Sequence, residues 1–353
     1  MRHTLGLVAA GLLLWHANVE ASSERLRYPV IMVHGFNASP ESPTGFSAEV
    51  IHAVERRAPK VVVPQLNPYA TSETRGRELA KVVRQVMRET GATKVHIIGH
   101  SQGGLDARWL ASPEGGNMGS SIASILSLSS PHHGMPLANT LVKSLGGDTR
   151  IKRVVRGTIL KLLSLRLNPA ARKDFTWDAV GGLSEMSVGS DFNAKVPDHP
   201  GVKYSSAGGT SQMTPRGKKT AKGHTHALLW GTALMSRGAS DGTVPTASAR
   251  WGTWLGALPA DHYAIIGQGP KRGKDKLTGF DPLAFYSKTV FHQLRQAEAG
   301  KALAKRPPRD LQAYLGGIPH HKAEILRNKE LRRHVRHMPK QGARMFQPRS
   351  QRK

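Results

Sequence analysis

Apolar runs alternate with helix-like patterns along the first third of the chain. Continuous apolar runs that end at glycine, proline or histidine loops are typical of strands buried on both faces of a parallel sheet. The segments between them place apolar residues at helical spacing, often between a serine and a glycine. The pattern predicts strands at 28–36, 61–68, 94–99 and 121–134, with helices at 72–91 and 102–112. This alternation indicates an α/β protein with a doubly wound, mostly parallel sheet.

The regular alternation fails between residues 135 and 198. Within this insertion, residues 151–168 form an imperfect amphipathic helix. An ordinary packing helix and a mobile lid over a substrate cleft both fit that pattern. The strand pattern resumes at 226–235, and residues 280–300 predict a closing helix with proline near its start and glycine at its end.

Residues 99–103, Gly-His-Ser-Gln-Gly, join the third predicted strand to a predicted helix. Such a pattern alone is weak evidence, but a strand–turn–helix junction is where a nucleophilic serine must lie. The tight turn leaves little room for side chains at Gly99 and Gly103, and it lifts Ser101 above the sheet edge. The first free amides of the helix can then stabilise negative charge on a substrate. Ser101 is therefore a candidate nucleophile.

A serine nucleophile needs a base to take its proton and an acid to orient that base. In junctions of this kind the acid and then the histidine follow the serine along the chain. Asp241 lies in a loop after the strand predicted at 226–235, and His262 lies in a further loop 21 residues on. Alone, each is more typical of an ordinary turn or loop residue. Their order, placement and spacing together favour the triad.

Other acids and histidines fit these roles less well. Asp261 adjoins His262, so its side chain is badly placed to orient that ring. The remaining rivals are placed less well. Asp178 and Asp191 lie in the irregular insertion, and His224 and His226 lie at the start of a predicted strand. His132 and His133 come too early in the chain.

An oxyanion hole requires two backbone N–H donors. We expect one from Gln102, directly after the nucleophile, and the other from Phe36, in the loop after the first strand. In that loop His34 can hold the chain in place, and Gly35 lets the backbone turn.

The chain has no cysteine among its 353 residues, which excludes disulfides, thiolate catalysis and cysteine-ligated zinc. The N-terminus has a short basic start and an apolar stretch too short to span a bilayer. Val19 and Ala21 then precede a plausible cleavage point. This layout predicts a secretory signal peptide at 1–21, although a buried N-terminal helix is the alternative. We expect a secreted protein whose catalytic domain occupies residues 22–300.

The formal net charge is +27, and residues 301–353 carry 15 Lys and Arg against 3 Asp and Glu. Such a surface attracts polyanions. The tail is interpreted either as a largely disordered, solvated extension or as an anchor to an anionic surface. It has no zinc pattern and little aromatic interleaving, so specific nucleic-acid recognition is not expected.

Six segments occur in an order that closely resembles the secreted bacterial triacylglycerol lipases of the Pseudomonas and Burkholderia type, which are α/β-hydrolases. The segments are YPVIMVHGF, ATKVHIIGHSQGGLDARWLA, SLSSPHHGMPLA, SDGTVP, DHYAIIGQ and FDPLAFYSKTVFHQL. The resemblance covers about residues 28–300 and implies an α/β-hydrolase fold with a lid near 137–180. It also implies a nucleophile, acid, base and two oxyanion donors at Ser101, Asp241, His262, Phe36 and Gln102.

The chain departs from that family at its structural calcium site. Ala264 stands where the family has an aspartate two residues after the catalytic histidine, and residues 215–240 contain no carboxylate. Gln268 matches a further ligand position but cannot hold the ion alone, because calcium prefers several hard oxygens. We therefore predict no calcium site of the family's type and no cofactor. The family's usual disulfide is absent too, and how the His262 loop is held stays open.

These observations favour a secreted serine carboxylester hydrolase, foremost a triacylglycerol lipase that acts through an acyl-enzyme on Ser101. A short-chain esterase, a phospholipase and a polyester depolymerase share the same chemistry. A polyanion-binding protein on a hydrolase scaffold is the alternative from another class. Beyond a lipid or ester substrate, the partners considered are an anionic surface for the tail and a dedicated folding chaperone.

Overall fold

The computed structural model describes residues 25–42, 44–145, 177–210, 239–268 and 279–301. Four predicted features lie outside these residues: the signal peptide, the amphipathic segment 151–168, the strand at 226–235 and the tail beyond Lys301. In the part of the chain that is described, no helix is long and apolar enough to cross a membrane.

Six strands form one sheet in the order β2-β1-β3-β4-β5-β6, and every neighbouring pair is parallel. The predicted parallel sheet is confirmed. Three strands are buried along their whole length, as expected where helices cover both faces. The bounds are β1 Val30–Val33, β2 Val61–Val62, β3 Val95–His100, β4 Ile122–Leu128, β5 Lys203–Gly209 and β6 Thr253–Leu258.

The helices connect these strands and cover the sheet. Short 3-10 turns lie at Gly119–Ser121 and Ala264–Ile266, π-helical turns at Ser187–Phe192, and one further turn at Asn193–Lys195. The turns Pro282–Ala284 and Phe285–Val290 run directly into the last helix. The longer helices are α1 Ala48–Glu55, α2 Ser72–Thr90, α3 Gln102–Ala111, α4 Pro136–Leu145, α5 Trp177–Gly181 and α6 Phe291–Glu298.

Local signals set the bounds of α2. The Thr71 side chain accepts a hydrogen bond from the Thr74 amide and so caps the helix N-terminus. Gly91 ends the helix with a φ of 68°, a left-handed conformation that glycine adopts without steric cost. The sequence predicts this helix within one residue at each end.

Apolar side chains pack on both faces of the sheet. One cluster includes Val50 of α1 and Leu294 of α6, and the other includes Leu79 and Val83 of α2 and Leu110 of α3. Fully burying one such side chain stabilises the fold by about 1.5–3 kcal/mol. These two cores hold the carboxyl ends of the strands in fixed positions, which is where the candidate site lies.

A third apolar cluster lies above the carboxyl ends of the strands. It joins Leu105 of α3 to Met135, Val180, Leu183 and Val188. This cluster packs the segments on either side of the undescribed residues 146–176 against α3.

Several elements differ from the sequence predictions. The strand predicted at 61–68 has only two residues, because Pro64 lacks an N–H and cannot continue the ladder. Helix α1 and strands β5 and β6 are not predicted. Strand β5 is rich in serine and glycine, residues that match no strand pattern, although Ser205 to Gly209 are buried.

Candidate active site

Ser101 occupies the sharp turn between β3 and α3. Its backbone has φ 54° and ψ −126°, a conformation that non-glycine residues seldom adopt. Only a turn fixed by surrounding packing holds a side chain there, and such strain is concentrated at functional sites. The turn is anchored because the Ser101 amide donates to Leu128 O at 2.9 Å.

Close backbone approaches explain the glycines around this turn. A Cβ added at Gly99 would lie 2.6 Å from the Gly103 carbonyl carbon, and one at Gly103 would lie 2.4 Å from Val33 O. One at Gly35 would lie 2.6 Å from Ser101 Cβ. The loop after β1 therefore lies directly against the serine, as an oxyanion loop requires.

Asp241 and His262 meet on the neighbouring loops. The His262 Nδ1 lies 2.7 Å from Asp241 Oδ2, and both side chains are buried. The His262 amide also donates to Asp241 O at 2.9 Å. The other carboxylate oxygen, Oδ1, accepts from the amides of Thr243 and Val244 at 2.8 and 2.7 Å. These bonds fix the carboxylate, which in turn fixes the ring with Nδ1 protonated and Nε2 free to act as a base.

Space for this pair comes from the end of β5. A Cβ at Gly209 would lie 2.9 Å from Asp241 Cβ and 2.4 Å from Ala260 O. Glycine at position 209 is therefore required by the loop that carries Asp241.

His100 links the nucleophile turn to the histidine loop. Its Nε2 lies 2.8 Å from His262 O, and the two rings have centroids 4.6 Å apart. Burial is the main cause that lowers the pKa of His100 well below its usual value, so the ring is neutral and donates through Nε2. In the described part of the chain no hydrogen bond yet joins Ser101 Oγ to His262. Such bonds commonly tighten only when substrate is present.

The loop that carries Phe36 is shaped by its neighbours. Asn37 has a positive φ of 56°, and its side chain accepts a hydrogen bond from Tyr69 Oη at 2.5 Å. The Phe36 ring packs edge-on against Tyr69 at 5.3 Å. Gln102, on the other side of the site, donates from Nε2 to Ala70 O at 2.9 Å. The structure thus brings both expected oxyanion residues to the Ser101 turn.

A buried ion pair between Arg75 and Asp106 supports the loop after β1 that carries Phe36. Arg75 of α2 donates from Nε to Asp106 Oδ2 at 2.7 Å and from Nη2 to His34 O at 2.6 Å. Both charged side chains are 0% exposed. Burial raises the pKa of Asp106 to about 6, against the opposing effect of Arg75. The guanidinium therefore connects α3 to the loop after β1.

His34 completes this support. Burial, with a smaller effect of Arg75, lowers the pKa of His34 to about 3, so the ring is neutral at pH 7. Its Nδ1 lies 3.0 Å from Gly35 O, and its Nε2 accepts from the Leu66 amide at 3.3 Å. The predicted role of His34 in holding this loop agrees with these contacts.

Protein hydrogen bonds hold the His262 loop. Asp261 Oδ1 accepts from the amides of Tyr263 and Ala264 at 2.9 and 2.7 Å. Gln268 Nε2 donates to Gly45 O at 2.8 Å. Ala264 and Gln268 thus serve as hydrogen-bonding residues, and the described residues contain no cluster of three metal-ligating side chains. The residues around His262 do not fit the family's calcium, and no chemical step requires it.

The rival residues lie elsewhere. His132 is buried against Arg108, whose guanidinium lies 3.4 Å from His132 Nδ1 and 3.4 Å from the Trp251 ring centroid. Asp178 lies on α5 and Asp191 on the π-helical turn Ser187–Phe192, and both residues are exposed. His224 and His226 are outside the described residues.

Sequence reasoning missed Arg75 and Asp106. A signal was present, because Arg75 lies four residues before Leu79 on the buried stripe of α2. A charged residue on a buried stripe is almost always paired, which could have drawn attention to it.

Parallel strands covered by helices on both faces, with a sharp serine turn after strand β3, define an α/β-hydrolase fold. The α/β hydrolase fold family matches residues 28–147, which include that turn. Solved structures agree with the fold. The mature lipase BlEst2 of Bacillus licheniformis has a TM-score of 0.50 at 24% identity, over 69% of this chain and 87% of the other.

The resemblance to bacterial triacylglycerol lipases is confirmed. A triacylglycerol lipase of Pseudomonas fragi is 36% identical over 122 residues, which cover 34% of this chain and 40% of the lipase. One from Burkholderia plantarii is 28% identical over 239 residues, covering 62% of this chain and 63% of the lipase. The chain thus spans less than two thirds of either lipase.

Proposed function

We propose that this protein is a secreted carboxylester hydrolase that cleaves triacylglycerols through an acyl-enzyme on Ser101. One observation carries the proposal: His100, the residue before a serine with a positive φ, contacts the backbone of a buried histidine, His262, whose Nδ1 lies 2.7 Å from a fixed aspartate. The similarity to triacylglycerol lipases supports the substrate class.

In this mechanism Ser101 Oγ attacks the ester carbonyl while His262 Nε2 takes its proton. Asp241 keeps the proton on Nδ1 and stabilises the charged ring. The amides of Phe36 and Gln102 hold the oxyanion. The protonated Nε2 then gives its proton to the leaving alcohol, and a water molecule, activated by the same nitrogen, hydrolyses the acyl-enzyme.

Labelling with a fluorophosphonate tests the nucleophile. We expect one labelled peptide, containing Ser101, in the native protein and none in Ser101→Ala. Ser124→Ala is a matched control, because Ser124 also contacts a buried histidine, as Ser124 Oγ lies 2.8 Å from His96 Nδ1. Labelling that survives Ser101→Ala would refute the assignment.

Rates against acyl-chain length test the substrate class. A lipase should prefer long-chain triacylglycerols and be activated by an oil–water interface. A short-chain esterase should hydrolyse dissolved butyrate esters equally fast with or without an interface. Phospholipid vesicles and polyester films, assayed in parallel, cover the two remaining alternatives.

Secretion and the basic tail are part of the same proposal. We expect the protein recovered from culture medium to begin at Ser22, as N-terminal sequencing would show. We also expect the full chain to bind anionic vesicles in a salt-sensitive way, and a chain truncated after Gly300 to lose that binding. Ester hydrolysis should survive the truncation.

A further inference from the structure

One short segment contacts both sides of the expected oxyanion hole. It consists of residues 67–70, which lie between β2 and α2, and we call it the 67–70 connector. The two expected donors come from distant parts of the chain, Phe36 from the loop after β1 and Gln102 from the start of α3. Oxyanion donors stabilise a transition state most when they are already in place before the reaction. A segment that fixes both residues therefore matters for catalysis.

The connector holds the residue that directly follows Phe36. The Asn37 amide donates to Pro68 O at 2.9 Å, and Tyr69 Oη donates to Asn37 Oδ1 at 2.5 Å. The rings of Phe36 and Tyr69 pack edge-on with centroids 5.3 Å apart. Backbone, side-chain and ring contacts thus join the connector to the loop after β1.

The same connector holds Gln102. The side-chain Nε2 of Gln102 donates to Ala70 O at 2.9 Å, and the residue is only 1% exposed. Tyr69 and Ala70 are adjacent in the chain, so a rigid connector would keep Phe36 and Gln102 at a constant separation.

The connector is itself fixed to α2. The Asn67 amide donates to Glu78 Oε2 at 2.8 Å, and Asn67 O accepts from Arg75 Nη1 at 2.8 Å. The side-chain Oδ1 of Asn67 accepts from the Tyr69 amide at 2.9 Å, which folds the connector into a turn. These bonds make the connector a firm support for the two expected donors.

The Tyr69 hydroxyl holds a residue in an uncommon conformation. Asn37 has a φ of 56°, in the left-handed region that asparagine visits more readily than most residues but does not prefer. Tyr69 and Asn37 are both buried, at 4% and 6% exposure. Burial raises the pKa of Tyr69, so the hydroxyl keeps its proton and donates at neutral pH. Loss of this donor would therefore loosen Asn37.

We propose that Tyr69 is a positioning residue for ester hydrolysis, which acts through Asn37 to fix the amide of Phe36. The adjacent Ala70 O fixes Gln102 in the same way, so the connector sets the geometry of the oxyanion hole before substrate binds. The inference rests on the proposed hydrolysis and adds to it a residue that acts through another.

Removal of one hydroxyl tests this role. Tyr69→Phe keeps the ring against Phe36 and loses the bond to Asn37. We expect kcat for a soluble butyrate ester to fall about 10- to 30-fold while KM stays within about twofold, because the oxyanion forms only in the transition state. Tyr204→Phe is the matched control, because the Tyr204 hydroxyl also forms a hydrogen bond, from the His199 amide at 3.0 Å, but at the amino end of β5.

The control should keep the native kcat. Unchanged kcat in a folded Tyr69→Phe protein, or a comparable loss in Tyr204→Phe, would overturn the proposal.

A transition-state analogue locates the effect in the oxyanion hole. When Ser101 Oγ adds to the carbonyl carbon of 1,1,1-trifluoropentan-2-one, the serine proton passes to His262 and the carbonyl oxygen becomes the oxyanion. We expect the Ki of this ketone to rise in Tyr69→Phe by the factor by which kcat/KM falls. A KM that instead rises with acyl-chain length, at unchanged kcat, would make Tyr69 a substrate-binding residue and overturn the positioning role.

Tyr69 and Asn37 should act as one unit. Asn37→Gly removes the acceptor, while glycine still adopts the left-handed conformation. We expect this variant to lose at least as much kcat as Tyr69→Phe does. Adding Tyr69→Phe to Asn37→Gly should then change kcat by less than about twofold, because the bond is already absent. Losses that multiply in the double variant would show that the hydroxyl acts elsewhere, and would overturn the proposal.

Hydrogen–deuterium exchange separates this inference from the proposed function, because it requires no turnover. We expect the amides of residues 34–40 to exchange about tenfold faster in Tyr69→Phe than in the native protein, and at the native rate in Tyr204→Phe. If the native protein hydrolysed no ester but this difference appeared, the proposed hydrolysis would fall and the hold of Tyr69 on the loop would stand. If the native protein hydrolysed the ester but Tyr69→Phe changed neither exchange nor kcat, the inference alone would fall.

Discussion

Two serine–histidine–carboxylate arrangements lie at opposite ends of the same sheet. At the carboxyl ends of the strands are Ser101, His262 and Asp241. Near the amino ends, Ser124 Oγ lies 2.8 Å from His96 Nδ1, and His96 Nε2 lies 3.1 Å from Glu298 Oε1. In the second arrangement hydrogen bonds join all three side chains. In the first, the described structure has no hydrogen bond between Ser101 Oγ and His262.

The difference between them is accessibility and the surrounding backbone. His96 and Ser124 are register partners in the middle of the sheet, at 0% and 2% exposure. Neither is among the described residues with a positive φ, whereas Ser101 has one and Gly35 lies against its side chain. Glu298 also accepts the amides of Arg27 and Tyr28 at 2.6 and 3.0 Å. The amino-end arrangement is therefore a clamp between α6, β1 and the sheet, and hydrogen-bond order alone does not identify a catalytic site.

The serines provide the largest contrast. Ser101→Ala should lower kcat for ester hydrolysis by a factor of about 10⁵, because it removes the nucleophile and leaves only the oxyanion hole. Ser124→Ala should leave kcat within about twofold, because that residue only bridges a clamp. Initial rates on a soluble butyrate ester measure both. A comparable loss in Ser124→Ala would break the distinction.

The carboxylates should separate activity from stability. Asp241→Asn should lower kcat by a factor of about 10³–10⁴, since the amide favours the wrong tautomer of His262. Glu298→Gln should leave kcat nearly unchanged and lower the free energy of unfolding by about 2 kcal/mol, because buried amides lose a charged acceptor. Kinetics and urea unfolding of both variants provide the test. If Glu298→Gln lost kcat and Asp241→Asn lost only stability, the amino-end arrangement would be the catalytic one.

Arg75 tests the support of the carboxyl-end site. Arg75→Lys keeps the charge but loses the fork that joins Asp106 to His34 O. We expect kcat to fall about 10- to 100-fold through displacement of the oxyanion loop. Arg84→Lys, an exposed change on the same helix, should have no effect. Unchanged kcat in a folded Arg75→Lys protein would count against this positioning role.

Acid should destabilise the protein through its buried histidines. The pKa of His34 is about 3 in the fold against about 6.5 when unfolded, so the unfolded state binds more protons between these values. Stability is therefore lost as pH falls below about 6.5, by about 2 kcal/mol from His34 at pH 5. Urea unfolding at pH 7.5 and 5 measures this loss. His34→Gln should show a smaller loss, and the exposed His52→Gln should behave as the native protein does.

The smallest effect is expected from metal removal. The His262 loop is held by Asp261 and Gln268 through hydrogen bonds to backbone groups. Excess EDTA should therefore change the rate of ester hydrolysis and the Tm by no more than experimental error. Loss of activity in EDTA that calcium restores would show that another anchor exists.

The sequence predicts well whatever depends on neighbours along the chain. Strand β3, the turn at Ser101 and helix α3 follow one another, so their apolar pattern and glycines suffice. Asp241 and His262 are found because chain order and loop placement restrict the choice. The structure brings those two together, although their catalytic role stays a prediction.

What the sequence does not reveal depends on contacts between distant segments. Arg75 and Asp106 are 31 residues apart, and only the packing of α2 on α3 buries them together. Gly209 reads as a strand breaker until Asp241 and Ala260 are seen to occupy the space beside it. The identity of such residues depends on contacts with segments that are distant along the chain, and a local sequence pattern does not show those contacts.

The positive φ of Ser101 lowers the stability of the fold at the residue whose side chain the proposed reaction needs. A non-glycine residue in such a conformation costs about 1–3 kcal/mol, which glycine would recover. Glycine at position 101 should therefore raise the free energy of unfolding while it removes the proposed nucleophile.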